Sequence, residues 1–418
     1  MGNIFKSCDI LLPDGQDMEK WAVVACDQFS SQKEYWQALD EQIGDAPSTL
    51  RLMLPEAYLE MRDQFEQAKI INETMRSYLD SGVFKTLEDS YIYVERTLRD
   101  GTLRRGIVGA LNLDEYDYAQ GSTSPVRATE GTIEDRLPPR VRIREGAALE
   151  MPHIMVFVDD KDNSLMSGLT LDRQKLEKVY DFNLSGGGGS IKGYAVSGEN
   201  KSMVEDGLMR LADPETIGER YGNLAPVIYA MGDGNHSLAT AKKCWLQLRE
   251  TLSDNERENH PARYSLVEIV NIHDEAITFE PIHKVIFETN PDSFISDAIA
   301  FWAKQSKDGA EHSLRLVTDG REEVVSVTGL MIGELIAKAE IFCQNHMAAH
   351  GGRIDYIHND EAALEMGRRS GAAAILMPTL GKDELFPSII KSGPFPKKSF
   401  SIGHAEDKRY YLECRKIK

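Results

Sequence analysis

The chain has 418 residues, 41% of them hydrophobic, with 48 Lys and Arg against 67 Asp and Glu for a formal charge of −19. This length suits two domains with a sizeable core, and the acidic balance argues against nucleic acid or anionic membrane as a general partner, because phosphates repel such a surface. The five cysteines, odd in number and without Cys-x-x-Cys spacing, argue against a disulfide framework or a thiolate zinc site and for reduced thiols in a cytoplasmic setting.

Met1 to Pro13 is broken by Lys6 and Asp9 and does not read as a secretory signal. No apolar run approaches a membrane span. Trp21 to Cys26 reads as a buried strand, and Ser31 to Glu34 as a capping box opening a helix with Tyr35, Trp36, Leu39 and Ile43 on one face. A second helix is expected from Pro55 to Asp80, closed by Gly82. Tyr91 to Leu98 and Leu103 to Leu111 flank Asp100-Gly101, a hairpin signal. His153 to Val158 is a further strand. Ser185 to Ser190 (SGGGGS) lies between two strand-like runs and reads as a hairpin loop; without a following GK[ST] it is no P-loop.

A helix over 200–211, a strand over 226–231, a helix over 235–252 and a strand over 264–271 follow. Beyond Phe287 the pattern is a helix over 292–304, a hairpin at Asp319-Gly320, helices over 330–346 and 360–369, and a strand over 373–377. The tail, 398–418, is expected to rejoin the main sheet. The class is α/β or α+β: a mixed sheet core with flanking helices in 1–285 plus 382–418, and a smaller α/β subdomain in 286–381.

The sharpest constellation is Gly232-Asp233-Gly234-Asn235-His236-Ser237, which leaves a strand and opens a helix. Glycines admit close backbone approach. A helix start presents free N–H groups and positive partial charge, which suits phosphate. Asp233 stands where open sheets place ligands and is the candidate metal ligand or base; His236 is a candidate acid/base. A capped turn with a packed histidine is the alternative.

A second group is Arg127, Glu130, Thr132, Asp135 and Arg136, which offers a base, a metal ligand and cations for phosphoryl transfer; a solvated loop beside Pro138-Pro139 is the alternative. Asp27 follows a strand as Asp233 does. Cys26 is read as a buried small hydrophobe. The ten histidines are read as scattered, without H-x-x-x-H spacing, so zinc is not expected.

DGNHSLATAK resembles the Asp-Gly-His-His-Arg motif of an uncharacterised bacterial domain-of-unknown-function family of roughly 400-residue proteins. CDQF at Cys26, RATEGT at Arg127, PIHK at Pro281 and PKKSFS at Pro396 agree with it. The motif is also similar to the Asp-Gly-His-x-Arg loop of free serine kinases and, more loosely, to loops of ParB and sulfiredoxin. Here Asn235 and Ser237 stand where the family has His and Arg, so the planar phosphate clamp is missing. Arg127, Arg136, Lys284 or Lys398 would have to replace it.

The residues, with the kinase-like motif, leave two functions open. One is a phosphotransferase using ATP, ADP or CTP with Mg²⁺ on a small hydroxyl metabolite. Asp233, His236, Glu130 and Asp27 would do the chemistry. Gly232, Gly234, Asn235, Ser237, Arg127, Arg136, His283, Lys398 and Ser399 would hold the nucleotide. The other is a regulatory module that binds a nucleotide or phosphometabolite without turnover. The sequence leaves the substrate and the oligomeric state open.

Overall fold

The computed structural model describes residues 4–132, 134, 137–222 and 224–418. The mixed α/β class is as the sequence implies: an 11-stranded sheet carries flanking helices, and smaller sheets surround it. From one edge the main path runs Glu177–Asn183, Ser190–Val196, Phe84–Thr97, Leu103–Asn112, Tyr264–Asn271, Met155–Val158, Tyr229–Asp233, Val126–Arg127 and Tyr116–Asp117. The first five are antiparallel neighbours. Toward the other edge the order turns mixed. Tyr264–Asn271 is parallel to Met155–Val158, which is antiparallel to Tyr229–Asp233, which is parallel to Val126–Arg127.

All three expected hairpins form, at Asp100-Gly101, at Asp319-Gly320 and at the glycine run, where Gly186, Gly187 and Gly189 take positive φ. Three local expectations are corrected. Only Val23–Val24 of the WAVVAC run is strand, because Asp17 caps a short helix, Met18–Trp21, immediately before it. The helix at 33 starts behind Gln32 with no side-chain cap, so Ser31 makes no capping box. The long helix is Gln64–Asp80, capped by Asp63 through the amides of Phe65 and Glu66; Glu56–Tyr58 is a separate 3₁₀ turn.

Pro138 and Pro139 lie in the first turn of a helix, Leu137–Gly146, not in a loop. Early helical positions tolerate proline because their N–H groups have no intrahelical acceptor.

A five-stranded antiparallel sheet lies in the order Arg321–Thr328, Glu311–Thr318, Ala372–Leu376, His283–Phe287, Arg353–Ile357. Leu314, Leu316 and Ile375 face helices Pro291–Ala303 and Ile332–His350 in a core that continues into Phe157 and Val270 of the large sheet. Val285, Val317 and Ala374 face helix Asp360–Gly367 on the other side.

The tail meets the main sheet at an isolated antiparallel bridge, where Cys414 and Leu11 exchange backbone hydrogen bonds at 2.7 and 2.9 Å. Its short strands Phe400–Ile402, Tyr410–Tyr411 and Arg415–Lys416 pair with Phe279–Pro281, Val23–Val24 and Leu149–Glu150. Side chains carry most of the attachment. The Arg409 Nε–H donates to Glu268 at 2.6 Å and a terminal N–H to Glu413 at 2.7 Å, while the Arg415 Nε–H donates to Glu150 at 2.8 Å, all buried.

Candidate functional site

The mixed strand directions bring one edge of the sheet to a focus. Tyr229–Asp233 and Val126–Arg127 both end there, and Met155–Val158 begins there, so Asp233, Glu130 and His153 emerge on the same side from positions far apart in sequence. Gly232 is a bulge: Met231 pairs with Val156 and Asp233 with Met155, which leaves Gly232 as the extra residue. A Cβ at Gly232 would lie 3.0 Å from the Phe157 ring and 3.1 Å from the Met155 carbonyl, so any side chain there would crowd both.

Gly234 takes φ +80 against Ile154 and caps helix Asn235–Arg249 with no side chain in the cap. The Asp233 carboxylate accepts from the Gly234 N–H at 2.8 Å. The Asn235 side-chain oxygen is buried and takes no hydrogen bond from the described residues.

Lys408 from the C-terminal tail closes the group, its Nζ 3.3 Å from the Asp233 carboxylate. The Arg409 anchor holds it there, since a further Arg409 N–H donates to the Pro152 carbonyl beside His153. Glu130 accepts from the Ser399 N–H at 3.3 Å. Burial pushes Glu130 up to about 7, with Asp233 adding to the rise and Lys408 and the Ser399 and Phe400 amides opposing it.

Burial also drives Asp27 upward, but His153, the Gln28 amide, Lys408 and Arg140 outweigh it and hold the carboxyl below its usual range. Burial pushes His153 below its ordinary value against the pull of Asp27 and Asp233, and its Nε2 lies 3.3 Å from the Ser237 hydroxyl. Lys408 therefore acts on the carboxyls of Asp27, Glu130 and Asp233 at this helix start, with His153 and Arg140 also acting on Asp27.

Beside this group lies a cavity of about 140 Å³ with Leu54, Met75, Leu149 and Leu266 among its apolar walls and Arg140, His153 and Ser237 among its polar ones. Arg140, on the proline-started helix, is paired with Glu56.

Of the sequence candidates, Asp27, Glu130, Gly232, Asp233, Gly234, Asn235, His236, Ser237 and Ser399 lie at or beside this edge. Three do not. The Arg127 guanidinium is buried and donates to the Ser124 and Ala225 carbonyls, so it clips two loops together. His283 is buried in the small sheet, where its Nδ1 accepts from the Met377 N–H and its Nε2 pairs with Asp360. Lys398 is exposed, with its Nζ 4.5 Å from the Tyr356 ring centre. Arg136 and Asp135 lie outside the described residues. Lys284 is paired with Glu340 in the small sheet.

Sequence reasoning missed Lys408 and the role of His153. Lys408 sits in an unremarkable charged stretch, and His153 reads as a strand start, so neither carries a local signal. The histidine reading also needs correction: His346 and His350 are four apart on one helix.

Fold and site together define a mixed α/β protein with a cluster of ionisable side chains where a bulged strand turns into a helix. The chain belongs to the family described as protein of unknown function (DUF1015), whose model matches residues 12–330. That span includes the Asp233 turn and stops short of Lys408.

No curated protein is significantly similar to the chain. Among solved structures, a conserved hypothetical protein from Pyrococcus furiosus shares 11% identity over 75% of this chain and 95% of its own, with a TM-score of 0.34. A free serine kinase variant in complex with AMP shares 8% over 73% and 90%, with a TM-score of 0.37. C-terminally truncated SbnI from Staphylococcus aureus shares 9% over 71% and 82%, with a TM-score of 0.35. Such scores decide neither the fold nor the ligand of this chain. Among the described residues no helix is long and apolar enough to cross a membrane.

Proposed function

We propose that the protein is a nucleotide-dependent phosphotransferase acting on a small hydroxyl metabolite. The observation that carries this reading is the meeting of Glu130, Asp233 and Lys408 at a helix start capped only by glycine. Phosphoryl transfer needs amides and cations on the phosphates and a carboxylate for the nucleophile's proton. The amides after Gly234 and the Lys408 ammonium suit the phosphates.

Glu130 takes the proton from the acceptor hydroxyl. That oxygen bonds the terminal phosphorus while the bridging P–O bond breaks and its electron pair leaves with the nucleotide. A carboxyl poised near 7 is matched to this task.

Mg²⁺ fits at Asp233. This ion commonly uses one or two carboxylates together with substrate phosphates and water, and among the described residues Asp233 belongs to no three-ligand group that would cage a different metal. When bound, the ion would neutralise charge between the phosphates. The adjacent cavity offers the acceptor an apolar wall with the polar groups of Arg140 and His153 beside it.

A non-catalytic binding module is the second reading, favoured by Ser237 where the family motif has arginine. Thermal melting with ATP, ADP and CTP, each with and without Mg²⁺, tests ligand binding. A ligand at a hundred times its Kd adds about 2.7 kcal/mol. Glu130→Gln then separates the two readings: it lowers transfer by about 10²–10⁴-fold with nucleotide binding kept if the protein is an enzyme. Binding without transfer, even in Ser237→Arg, leaves the module. No shift with any nucleotide at millimolar concentration removes both.

A further inference from the structure

Two helices that pack on the five-stranded sheet present a second chemical grouping. Asp297 lies on Pro291–Ala303, and His346 and His350 occupy the last turns of Ile332–His350. Four-residue spacing puts both rings on one helix face. The Asp297 Oδ2 lies 2.9 Å from His346 Nδ1 and 3.0 Å from His350 Nε2, and the three atoms are mutually within 4.8 Å.

The His346 ring is held in place. It is buried between Phe294 and Phe342, and its remaining nitrogen is 2.8 Å from the buried Thr289 hydroxyl. Metal-bound histidines usually engage such an outer partner through the second ring nitrogen, which fixes the tautomer and the aim of the first. The site also lies at a helix C-terminus, where the carbonyl ends carry negative partial charge and favour a cation.

We propose that Asp297, His346 and His350 bind one divalent transition-metal ion of the zinc class, which clips the two helices together. Two imidazoles and one carboxylate select such ions over Mg²⁺ or Ca²⁺, which prefer oxygen-only shells. The dimensions agree. Ligands at about 2.0–2.2 Å around a tetrahedral ion stand roughly 3.3 Å apart, so the observed 2.9 and 3.0 Å contacts need to open by only a few tenths of an ångström. Asp297 and His350 are partly exposed, so that opening moves surface side chains and leaves His346 fixed. Their exposure also leaves a solvent-facing fourth position for water.

The test uses the full-length protein, stripped with a chelator and titrated with Co²⁺ in the absence of nucleotide. The expected result is one Co²⁺ per chain with visible ligand-field absorption, displaced by Zn²⁺, and a melting temperature raised by Zn²⁺ but not by Mg²⁺. His350→Ala and Asp297→Asn change partly exposed side chains and should leave the fold intact by circular dichroism while abolishing the absorption. Thr289→Val should weaken binding by about 10–100-fold. Absence of saturable uptake, or uptake unchanged in His350→Ala and Asp297→Asn, overturns the proposal.

Discussion

The two sheets treat their buried charges differently. In the five-stranded sheet the accounts are local and even: His283 meets Asp360 and the Met377 amide, and Lys284 meets Glu340, which also accepts from the Tyr356 hydroxyl. At the edge of the large sheet Arg409 and Arg415 are likewise matched, to Glu268, Glu413 and Glu150. Next to them, Asp27, Glu130 and Asp233 gather round the ammonium of Lys408, with His153 and Arg140 also acting on Asp27. Evenly paired buried charges hold a fold together. A surplus of one sign at an open backbone turn is what a cationic or phosphate-bearing ligand completes.

The comparison breaks most visibly at Arg409. Arg409→Ala leaves Glu268 and Glu413 buried without their cation and is expected to cost about 3–5 kcal/mol in urea unfolding. Lys284→Met, its counterpart in the small sheet, should cost only about 1 kcal/mol, because Glu340 is partly exposed and keeps Tyr356. Equal losses would erase the distinction between the two regions.

Gly234→Ala forces a side chain into φ +80 against Ile154 and should cost about 1–2 kcal/mol, a loss readable as a lower melting temperature. Lys408→Met removes a cation without emptying a core site. It should weaken nucleotide binding by about tenfold, near 1.4 kcal/mol, with little change in stability; unchanged affinity in calorimetry would take Lys408 out of the site.

The smallest effect is a pH dependence. Glu130 has a folded pKa raised from 4.5 to about 7. The folded state therefore holds this proton more tightly than the unfolded chain does. Its contribution to stability is complete below about 4.5 and is lost as pH rises through about 7. Glu130→Gln should gain stability relative to the parent between pH 5 and pH 8, measured as urea midpoints at the two values. A constant difference would mean that the carboxyl is not perturbed.

Much of the local structure was legible. The Asp100-Gly101 and glycine-run hairpins follow from residues that tolerate positive φ, and the Tyr229-to-Arg249 strand–turn–helix follows from an apolar run, two glycines and a helical stripe. Boundaries failed where two signals competed. Asp63 is a better cap than anything near Pro55, and Pro138-Pro139 marks a helix start as readily as a loop. Arg127 and His283 looked like ligands for phosphate because residue type alone does not tell a cation facing a cleft from one enclosed by carbonyls.

By itself the sequence determined the fold class, the turn at Gly232 to Gly234 and the chemistry available in Asp233 and Glu130, because short-range sterics and burial period decide such features. Only the tertiary structure decided which groups meet. Strand order and direction bring residues 130, 153 and 233 to one edge, and the Arg409 ion pairs deliver Lys408 to it from the far end of the chain. Contacts over such separations depend on pairing partners that no local window contains.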